Sequence, residues 1–445
     1  MKKIVIKGGE KLTGSIIVSG AKNVALKAMV AACLTDEEVL IKNIPLISDF
    51  MVMVEIIKEL GGEVKIIDHV AHVHMRKFKK EKISLEEAAK IRTSAMFLSP
   101  LLARMGKAII PNPGGCRIGA RPIDRTIKGL EKMGYSAQYK SKDGFFYINK
   151  KDDFKKDEIV YEFEKSTHTG TETLIMVASL LNGTKTTLEN AAAEPEIDEL
   201  INLLNQMGAK ILRTQERTIV IEGVEKLKGT EFTIGPDRNE IVTLAIAALV
   251  TKGDVLVKGA QSVDLSPFIQ RLELAGAGVE SQKEGIRFYY KGELVSVDVE
   301  TSTYPGFMTD WQGPWSILMT QAKGEAVIHE TVYENRFGYV TELKKMGANI
   351  TLFNPEIKNP EKVYNFNLSD NNSSYFHAIR VKGPTHLHNA VVKVSDLRAG
   401  ATLVLAALSA VGESVIFGVE HLDRGYEKLE EGLSSLGASI KRVKE

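Results

Sequence analysis

The sequence has little cysteine, no long apolar run and almost no net charge. Two of its 445 residues are cysteine, too few for the disulfide framework of a secreted domain, which favours a reducing compartment. Its longest apolar stretches, VTLAIAALV and TLVLAALSAVG, fall short of the roughly 18 residues that span a bilayer. With 58 basic and 57 acidic residues the formal net charge is +1, so bulk electrostatics disfavours nucleic acid or a membrane surface as a partner.

The composition is typical of a soluble globular protein, with 44% hydrophobic and 26% charged residues. The N-terminal stretch MKKIVIKGGEKLTG alternates like a β-strand and lacks the apolar segment and cleavage site of a signal peptide. We therefore expect a cytoplasmic protein. Because 445 residues exceed one ordinary core, we also expect two domains of about 200 residues each.

One sequence unit recurs six times along the chain. In each copy a helix-like stretch ends in a hydrophobic-Gly-small step and continues as a strand, with the glycines at positions 61, 134, 208, 276, 347 and 437. Four intervals between these glycines are 68 to 74 residues long and the last is 90. A glycine at the end of a helix commonly adopts left-handed backbone. The repeat therefore predicts six strand-helix-strand-helix-strand units.

Six units fit two compact α/β domains of three units better than an open solenoid. The helices that begin near Lys22, Arg238 and Arg398 are almost entirely apolar, which predicts burial on every side. We expect the third unit to give way to the fourth near residues 227–236. The long last interval contains an insertion, residues 354–380, whose Asn, Pro and Ser content is typical of a surface excursion.

Polar side chains stand at the starts of these apolar helices, including Lys22, Arg92, Asp310 and Arg398. Helix N-termini present unpaired N–H groups and a partial positive charge, so converging starts would form an anion site. A cation there opposes the helix dipole and needs an anion nearby. The alternative is that these residues are simple caps and surface charges.

Two further arginines lie in polar-aromatic loops, Arg336 in ETVYENRFGYV and Arg424 in EHLDRGYEKLEE. They are candidates for the same anion site. Ion pairs with the neighbouring Glu334 and Asp423 are the alternative for these two arginines.

The two cysteines have different surroundings. Cys33 lies in the apolar run VALKAMVAACL and is a predicted core residue. Cys116 lies in NPGGCRIGARPID, between a glycine pair and the cations Arg117 and Arg121. Neighbouring cations favour a thiolate, so a reactive thiol is expected here. The segment PIDRTIKGLEKMG then predicts a helix with Pro122 in its first position.

The sequence resembles the UDP-N-acetylglucosamine 1-carboxyvinyltransferase family of enolpyruvyl transferases over its whole length, in segments that include SGAKNVAL, PGGCRIGARPID, ENAAAEPEI, IEGVEKL, ETVYENRF, SDLRAGATLVLA and DRGYE. The resemblance implies an α/β fold of the inside-out barrel type, with two domains of three βαβαβ-type units and buried helices. It implies that residues 22–230 form the first domain, which carries the Cys116 loop. Residues 1–21 and 231–445 would form the second, with the active site in the cleft between them.

The resemblance also implies an enzyme and its reaction. The enolpyruvyl group of phosphoenolpyruvate would move to the 3′-hydroxyl of UDP-N-acetylglucosamine by addition and elimination of phosphate, the first committed step of peptidoglycan synthesis. Cys116 would protonate the methylene carbon, form a covalent adduct and react with the antibiotic fosfomycin, while Asp310 would help deprotonate the sugar hydroxyl. The implied partners are these two small molecules, with no cofactor, metal, nucleic acid or membrane. The sequence does not indicate an oligomeric state.

The family's site positions transfer to this chain residue by residue. The implied catalytic residues are Cys116, Asp310, Lys22 and Arg398. The implied phosphoenolpyruvate site comprises Lys22, Asn23, Arg121, Arg398 and Arg424. The implied nucleotide-sugar site comprises Asn23, Arg92, Arg121, Pro122, Ile123, Asp124, Arg125, His168, Thr169, Gly170, Asp310, Val332 and Arg336. Guanidinium groups suit both the phosphate and the carboxylate of phosphoenolpyruvate.

Two loops depart from the family pattern on the nucleotide side. Arg125 and Thr126 follow RPID, where the family commonly has Leu-His, and STHTG stands where the family usually has Ser-Val-Gly. His168 in this second loop would donate to a phosphate; the alternative is a solvent-facing loop histidine. The nucleotide sugar is therefore the less secure half of the prediction.

Two other functions compete with this one. The sister transferase that acts on shikimate 3-phosphate shares the fold and the phosphoenolpyruvate chemistry, but it lacks this cysteine loop. A catalytically silent paralogue could bind a nucleotide sugar as a regulator. The presence of Cys116, Asp310, Lys22 and Arg398 together disfavours that second alternative.

Overall fold

The computed structural model describes residues 2–114, 120 and 122–444. Its strands are β1 Lys2–Lys7, β2 Thr13–Ile17, β3 Glu38–Lys42, β4 Glu63–Ile67, β5 Val70–His74, β6 Lys107–Pro111, β7 Tyr135–Lys140, β8 Phe145–Lys150, β9 Glu158–Glu162, β10 Lys185–Glu189, β11 Lys210–Gln215, β12 Thr218–Glu222, β13 Glu231–Thr233, β14 Asp254–Lys258, β15 Gly278–Gln282, β16 Gly285–Tyr289, β17 Val299–Glu300, β18 Gly324–His329, β19 Ile350–Phe353, β20 Ala378–Gly383, β21 Val391–Lys393, β22 Glu413–Phe417 and β23 Ser439–Lys444.

Helices alternate with these strands. The α-helices are α1 Lys22–Ala32, α2 Ser48–Glu59, α3 Leu85–Lys90, α4 Leu98–Met105, α5 Asp124–Lys132, α6 His168–Ala178, α7 Pro195–Gln206, α8 Arg238–Val250, α9 Ser266–Leu274, α10 Gln312–Gln321, α11 Val340–Lys345, α12 Pro360–Val363, α13 Leu397–Ser409 and α14 Leu429–Ser435. Short 3₁₀ helices cover Arg92–Phe97, Val263–Leu265, Thr309–Trp311, Leu368–Asp370 and Val419–Arg424. No helix of the described ranges is long and apolar enough to cross a membrane.

The described residues group into two compact units. Unit A comprises residues 20–114 and 122–235, and unit B comprises residues 2–19, 120 and 236–444. The sequence placed the second boundary at residue 231. Strand β13 instead pairs in parallel with β3 of unit A, so the chain leaves unit A only after Gly235.

The sheets of the described residues share one pairing pattern. Unit A holds the orders β13-β3-β5-β4, β6-β8-β7 and β11-β12-β10-β9, and unit B holds β15-β16-β14-β2, β17-β18-β20-β19 and β21-β22-β1-β23. Each four-stranded sheet has one parallel edge pair and two antiparallel pairs. In the three-stranded sheet, an isolated parallel bridge from Lys82 to Ile109 stands where the others have the parallel edge strand.

The most apolar helices are buried on almost every side. Every residue of α8 is buried, α1 is buried except for Asn23, and α13 is buried except for Arg398 and Ser409. Cys33, just after α1, is fully buried, and its thiol donates to the carbonyl of Met29 at 3.4 Å. The polar residues in the first turns of these helices, Lys22, Arg238 and Arg398, therefore lie at the ends of closely packed apolar segments.

The six repeated glycines have left-handed backbone, as the sequence predicted. They follow α2, α5, α7, α9, α11 and α14, and their φ angles lie between +85° and +104°, at Gly61, Gly134, Gly208, Gly276, Gly347 and Gly437. Glycine has no Cβ to clash in this region of backbone space. Each glycine therefore allows a helix to stop and the chain to turn into the next strand.

Two sequence predictions about segment boundaries were wrong. Helix α5 begins at Asp124 rather than Pro122, and an acidic residue in the first turn suits the helix dipole. The insertion 354–380 ends early, because residues from Ala378 onward belong to β20 and pair with β18 and β19. The insertion is also only partly a surface excursion, since Tyr364, Phe366 and His377 are buried against one another.

Candidate active site

Two arginines of unit B meet the carboxylate of Asp310. Asp310 lies in the 3₁₀ turn that leads into α10. Arg336 donates from Nη2 to Oδ1 of Asp310, and Nη2 of Arg398 lies 3.1 Å from Oδ2. The arginine side chains are 5% and 11% exposed, whereas Asp310 is 21% exposed. The carboxylate therefore keeps an accessible edge while its two cationic partners are almost enclosed.

Both guanidinium groups are held in the charged form. Burial alone would lower the pKa of Arg336, but the carboxylates of Asp310, Asp396 and Glu330 raise it above its ordinary value. Burial likewise opposes the charge of Arg398, but Asp310, Tyr426 and Asp237 together raise the pKa of Arg398 above its ordinary value. The site thus presents fixed positive charge, which suits binding of an anion.

The start of α13 fixes the position of Arg398. Asp396 caps this helix, since its carboxylate accepts from the backbone N–H groups of Arg398 at 3.0 Å and Ala399 at 3.1 Å. The guanidinium of Arg398 donates to the hydroxyl of Tyr426 at 3.2 Å, and that hydroxyl lies 2.7 Å from Oγ1 of Thr243 on α8. A helix cap and a buried hydroxyl pair therefore aim the guanidinium at Asp310.

The alternative ion pairs considered for Arg336 and Arg424 take other forms. Arg336 pairs with Asp310, while Glu334 accepts the backbone N–H of Ala120 at 2.6 Å. The carboxylate of Asp423 makes a two-pronged pair with Arg442, at 2.7 and 2.8 Å. Arg424 itself ends the 3₁₀ helix Val419–Arg424.

In unit A, the ammonium group of Lys22 at the start of α1 pairs with a carboxylate from α2. Its Nζ lies 2.7 Å from Oδ2 of Asp49, and the two side chains are 11% and 5% exposed. The sequence argument required an anion beside a cation at a helix start. A protein carboxylate is present beside Lys22, as Asp310 is beside Arg398. The cations alone therefore do not require a bound ligand, which corrects that part of the argument.

A second buried ionic cluster lies at the start of α6. Oε1 of Glu172 is 3.2 Å from Nε2 of His168 and 3.5 Å from Nζ of Lys27 on α1. Glu172 is fully buried and His168 is 26% exposed. Burial by itself lowers the pKa of His168, but the Glu172 carboxylate raises it above its ordinary value. His168 is therefore the paired first residue of a helix rather than a solvent-facing loop histidine.

Seven other predicted positions of unit A lie at the starts of α5 and α6 or just before them. Helix α5 packs so closely on α6 that a Cβ at Gly129 would lie 2.2 Å from the Leu174 side chain. A Cβ at Gly170 would lie 3.1 Å from Oγ1 of Thr126. This packing brings together two groups of predicted residues, the helix start with Pro122, Ile123, Asp124 and Arg125, and the helix start with His168, Thr169 and Gly170.

The remaining predicted residues are three that the structure describes, Arg92, Asn23 and Val332, and two that it does not. Arg92 begins the 3₁₀ helix Arg92–Phe97, and Asn23 follows Lys22 on α1. Val332 follows β18, and its backbone N–H donates to Glu330 at 2.8 Å. Cys116 and Arg121, predicted to act on phosphoenolpyruvate, lie outside the described residues.

Sequence reasoning missed the carboxylates that hold the predicted cations. Glu172 had a detectable signal, because it stands four residues after His168 in one helix, a spacing at which side chains meet. Asp49 had none, since its partner Lys22 lies in another segment of the chain.

The chain belongs to the EPSP synthase (3-phosphoshikimate 1-carboxyvinyltransferase) family, whose model matches residues 6–433. Relatives that match its whole length have a more particular name, UDP-N-acetylglucosamine 1-carboxyvinyltransferase. One from Koribacter versatilis is 42% identical over 449 residues, which cover 100% of this chain and 97% of the relative. Another from Staphylococcus aureus is 40% identical over 446 residues, which cover 100% of both proteins.

Solved structures with lower identity share the fold. The enolpyruvyl transferase NikO from Streptomyces tendae matches with a TM-score of 0.84 at 22% identity, covering 99% of each chain. EPSP synthase from Acinetobacter baumannii matches with a TM-score of 0.72 at 17% identity over 100% of each chain. The α/β fold with mixed sheets is therefore that of the enolpyruvyl transferases.

Proposed function

We propose that this enzyme transfers the enolpyruvyl group of phosphoenolpyruvate to the 3′-hydroxyl of UDP-N-acetylglucosamine. Addition would be followed by elimination of phosphate, and the reaction would open peptidoglycan synthesis. The observation that carries the proposal is full-length similarity, at 40 to 42% identity, to relatives named for this reaction. The Asp310 cluster supports it, because it offers a carboxylate and fixed cations in one place.

The proposed phosphoenolpyruvate site uses the cations at two helix starts. Lys22 and Arg398, with Asn23, Arg121 and Arg424, would bind the phosphate and carboxylate of this substrate. Arg398 suits this role because a guanidinium binds a carboxylate or phosphate with two parallel hydrogen bonds. Its present partner is the Asp310 carboxylate, a group of the same chemistry as the substrate's own carboxylate.

Asp310 is proposed as the group that accepts the proton of the sugar hydroxyl. Its partly exposed carboxylate is accessible to a substrate, whereas its partner Arg336 is buried. A base must have a free lone pair and must not be fully neutralised. If the Arg398 guanidinium binds the carboxylate of phosphoenolpyruvate instead of Asp310, Asp310 loses one of its two guanidinium partners. Cys116 is proposed as the acid that protonates the methylene carbon.

The proposed nucleotide-sugar site involves the starts of α5 and α6. The pair of His168 and Glu172 supports it, because an imidazole N–H at a helix start can donate to a phosphate oxygen. The remaining residues of this proposed site are Asn23, Arg92, Arg121, Pro122, Ile123, Asp124, Arg125, Thr169, Gly170, Asp310, Val332 and Arg336.

We also infer that units A and B are the two three-unit domains of an inside-out α/β barrel. The shared pairing pattern of the sheets and the burial of α1, α8 and α13 support this architecture. The proposed place of action is the cytoplasm, since phosphorylated substrates do not cross membranes unaided.

A panel of acceptors tests the proposed function. Phosphate release from phosphoenolpyruvate would be measured with UDP-N-acetylglucosamine, other UDP-sugars and shikimate 3-phosphate. We expect kcat/KM to be highest with UDP-N-acetylglucosamine. If shikimate 3-phosphate is the only acceptor that gives phosphate release, the chain belongs to the sister reaction. If none of the acceptors gives phosphate release, the proposal is contradicted.

A further inference from the structure

A fully buried carboxylate, that of Glu330, is connected to the Asp310 cluster by hydrogen bonds. Glu330 follows β18 directly and is 0% exposed. Its Oε1 accepts the backbone N–H groups of Val332 at 2.8 Å and Tyr333 at 3.0 Å. Its Oε2 accepts the hydroxyl of Thr309 at 2.8 Å. Each oxygen thus has a different task, since one holds the loop after β18 and the other holds the turn before α10.

Thr309 connects Glu330 to the proposed base. Its Oγ1 accepts Nε–H of Arg336 at 3.2 Å while its hydroxyl hydrogen goes to Glu330. The other end of the same guanidinium, Nη2, donates to Asp310. A chain of hydrogen bonds therefore runs from the Val332 backbone through Glu330, Thr309 and Arg336 to the Asp310 carboxylate.

The direction of this chain is fixed by chemistry. A guanidinium has only donors, so Nε of Arg336 must donate and the threonine oxygen must accept. The threonine hydrogen is then free for one acceptor, and the acceptor within reach is Glu330. Burying a carboxylate is costly unless it is paired and hydrogen-bonded. Burial raises the pKa of Glu330 above its ordinary value, although the Arg336 charge and the donated hydrogen bonds oppose that rise.

We propose that Glu330 and Thr309 are positioning residues for the transfer reaction. Together they set the orientation of Arg336, and through it the Asp310 carboxylate, while Glu330 alone also fixes the backbone at Val332. This inference rests on the proposed function, which assigns proton abstraction to Asp310 and nucleotide-sugar binding to Val332. The hydrogen-bond network thus has two arms, one from Glu330 through Thr309 and Arg336 to Asp310 and one from Glu330 to the Val332 backbone. The inference predicts that substitutions can affect the two arms separately.

Substitutions at Thr309 test the arm that leads to Asp310. Thr309→Val keeps the side-chain shape and removes both the donor and the acceptor, whereas Thr309→Ser keeps the hydroxyl. We expect Thr309→Val to lower kcat at least tenfold while KM for UDP-N-acetylglucosamine stays within twofold. Thr309→Ser should restore kcat to within threefold of the unmodified enzyme. A matched control is Thr320→Val, since Thr320 is a buried threonine of α10 whose hydroxyl bonds to Ile317 and Gln321 of the same helix.

Glu330→Gln tests both arms at once. The amide keeps one oxygen acceptor but puts an NH₂ donor where the second oxygen accepts a hydrogen bond, so one branch of the network must break. We expect kcat to fall and KM for UDP-N-acetylglucosamine to rise at least fivefold.

The outcomes distinguish this inference from the proposed function. If the unmodified enzyme releases no phosphate, the proposed function fails. If it does, but Thr309→Val turns over normally or Thr309→Ser is as slow as Thr309→Val, the positioning role is refuted. Thermal unfolding shows whether Thr309→Val is folded, and if it is not, an unchanged kcat and KM in Glu330→Gln would refute the inference independently.

Discussion

Glu240 makes the stability of this protein depend on pH. It lies in the first turn of α8 and is 9% exposed. Burial, together with the neighbouring carboxylates of Asp237 and Glu427, raises its pKa to about 8, although Ser19 donates two hydrogen bonds to it. The protonated form is therefore the one that the fold favours.

The sign and size of the effect follow from the two pKa values. In the unfolded chain this carboxyl titrates near 4.5, and in the fold its pKa is about 8. Between these values the unfolded state binds fewer protons, so the stabilisation is complete below pH 4.5 and is lost as the pH rises toward 8. At about 1.4 kcal/mol per pKa unit, raising the pH from 6 to 8 should reduce the free energy of unfolding by about 2 kcal/mol.

Thermal unfolding of Glu240→Gln at pH 6 and pH 8 checks this prediction. Glutamine cannot ionise, so the melting temperature of the variant should fall less between pH 6 and pH 8 than that of the unmodified protein. Glu420→Gln is the matched control, because Glu420 is an exposed carboxylate of the same unit. An equal loss in Glu240→Gln and in the unmodified protein would refute the reasoning.

Three further predictions concern the proposed site. Asp310→Asn should lower kcat by about a hundred- to ten-thousand-fold, as loss of a general base does, with UDP-N-acetylglucosamine binding by calorimetry retained; normal turnover would remove Asp310 from the mechanism. Asp49→Asn should cost about 3 kcal/mol of unfolding free energy in denaturant titration, because the buried ammonium of Lys22 would lose the carboxylate charge that lies 2.7 Å from it; an unchanged midpoint would contradict this. Fosfomycin with UDP-N-acetylglucosamine should give one adduct by intact mass and peptide mapping, on Cys116, since burial raises the pKa of Cys33 to about 12; an adduct on Cys33 would contradict the expected loop chemistry.

Features set by local sequence could be predicted. The hydrophobic-Gly-small tripeptide was enough to predict the glycine that ends the second helix of each unit, because left-handed backbone favours glycine directly. The burial of α8 and α13 was predicted in the same way, since a helix that is apolar on every side has no face to expose. Arg398 and Asp310 were chosen as polar exceptions at such helix starts, and the structure pairs them.

Features set by tertiary contacts could not be predicted. Asp49 follows Lys22 by 27 positions, and no spacing rule connects their helices. The buried Lys27 reads as an ordinary surface charge until Glu172 is brought beside it. The insertion looks polar in sequence, yet Phe366 is buried there. The exact crossing point within residues 227–236 depends on the pairing of β13 with β3, a contact that no local pattern shows.

The most direct test of the enzyme's proposed activity is identification of its products. The protein would be incubated with phosphoenolpyruvate and UDP-N-acetylglucosamine, with phosphate measured and the nucleotide product analysed by mass spectrometry and NMR. We expect one phosphate for each enolpyruvyl group found as an ether on the 3′-oxygen of the sugar. Phosphate release without an enolpyruvyl nucleotide sugar, or no phosphate at all, would contradict the account.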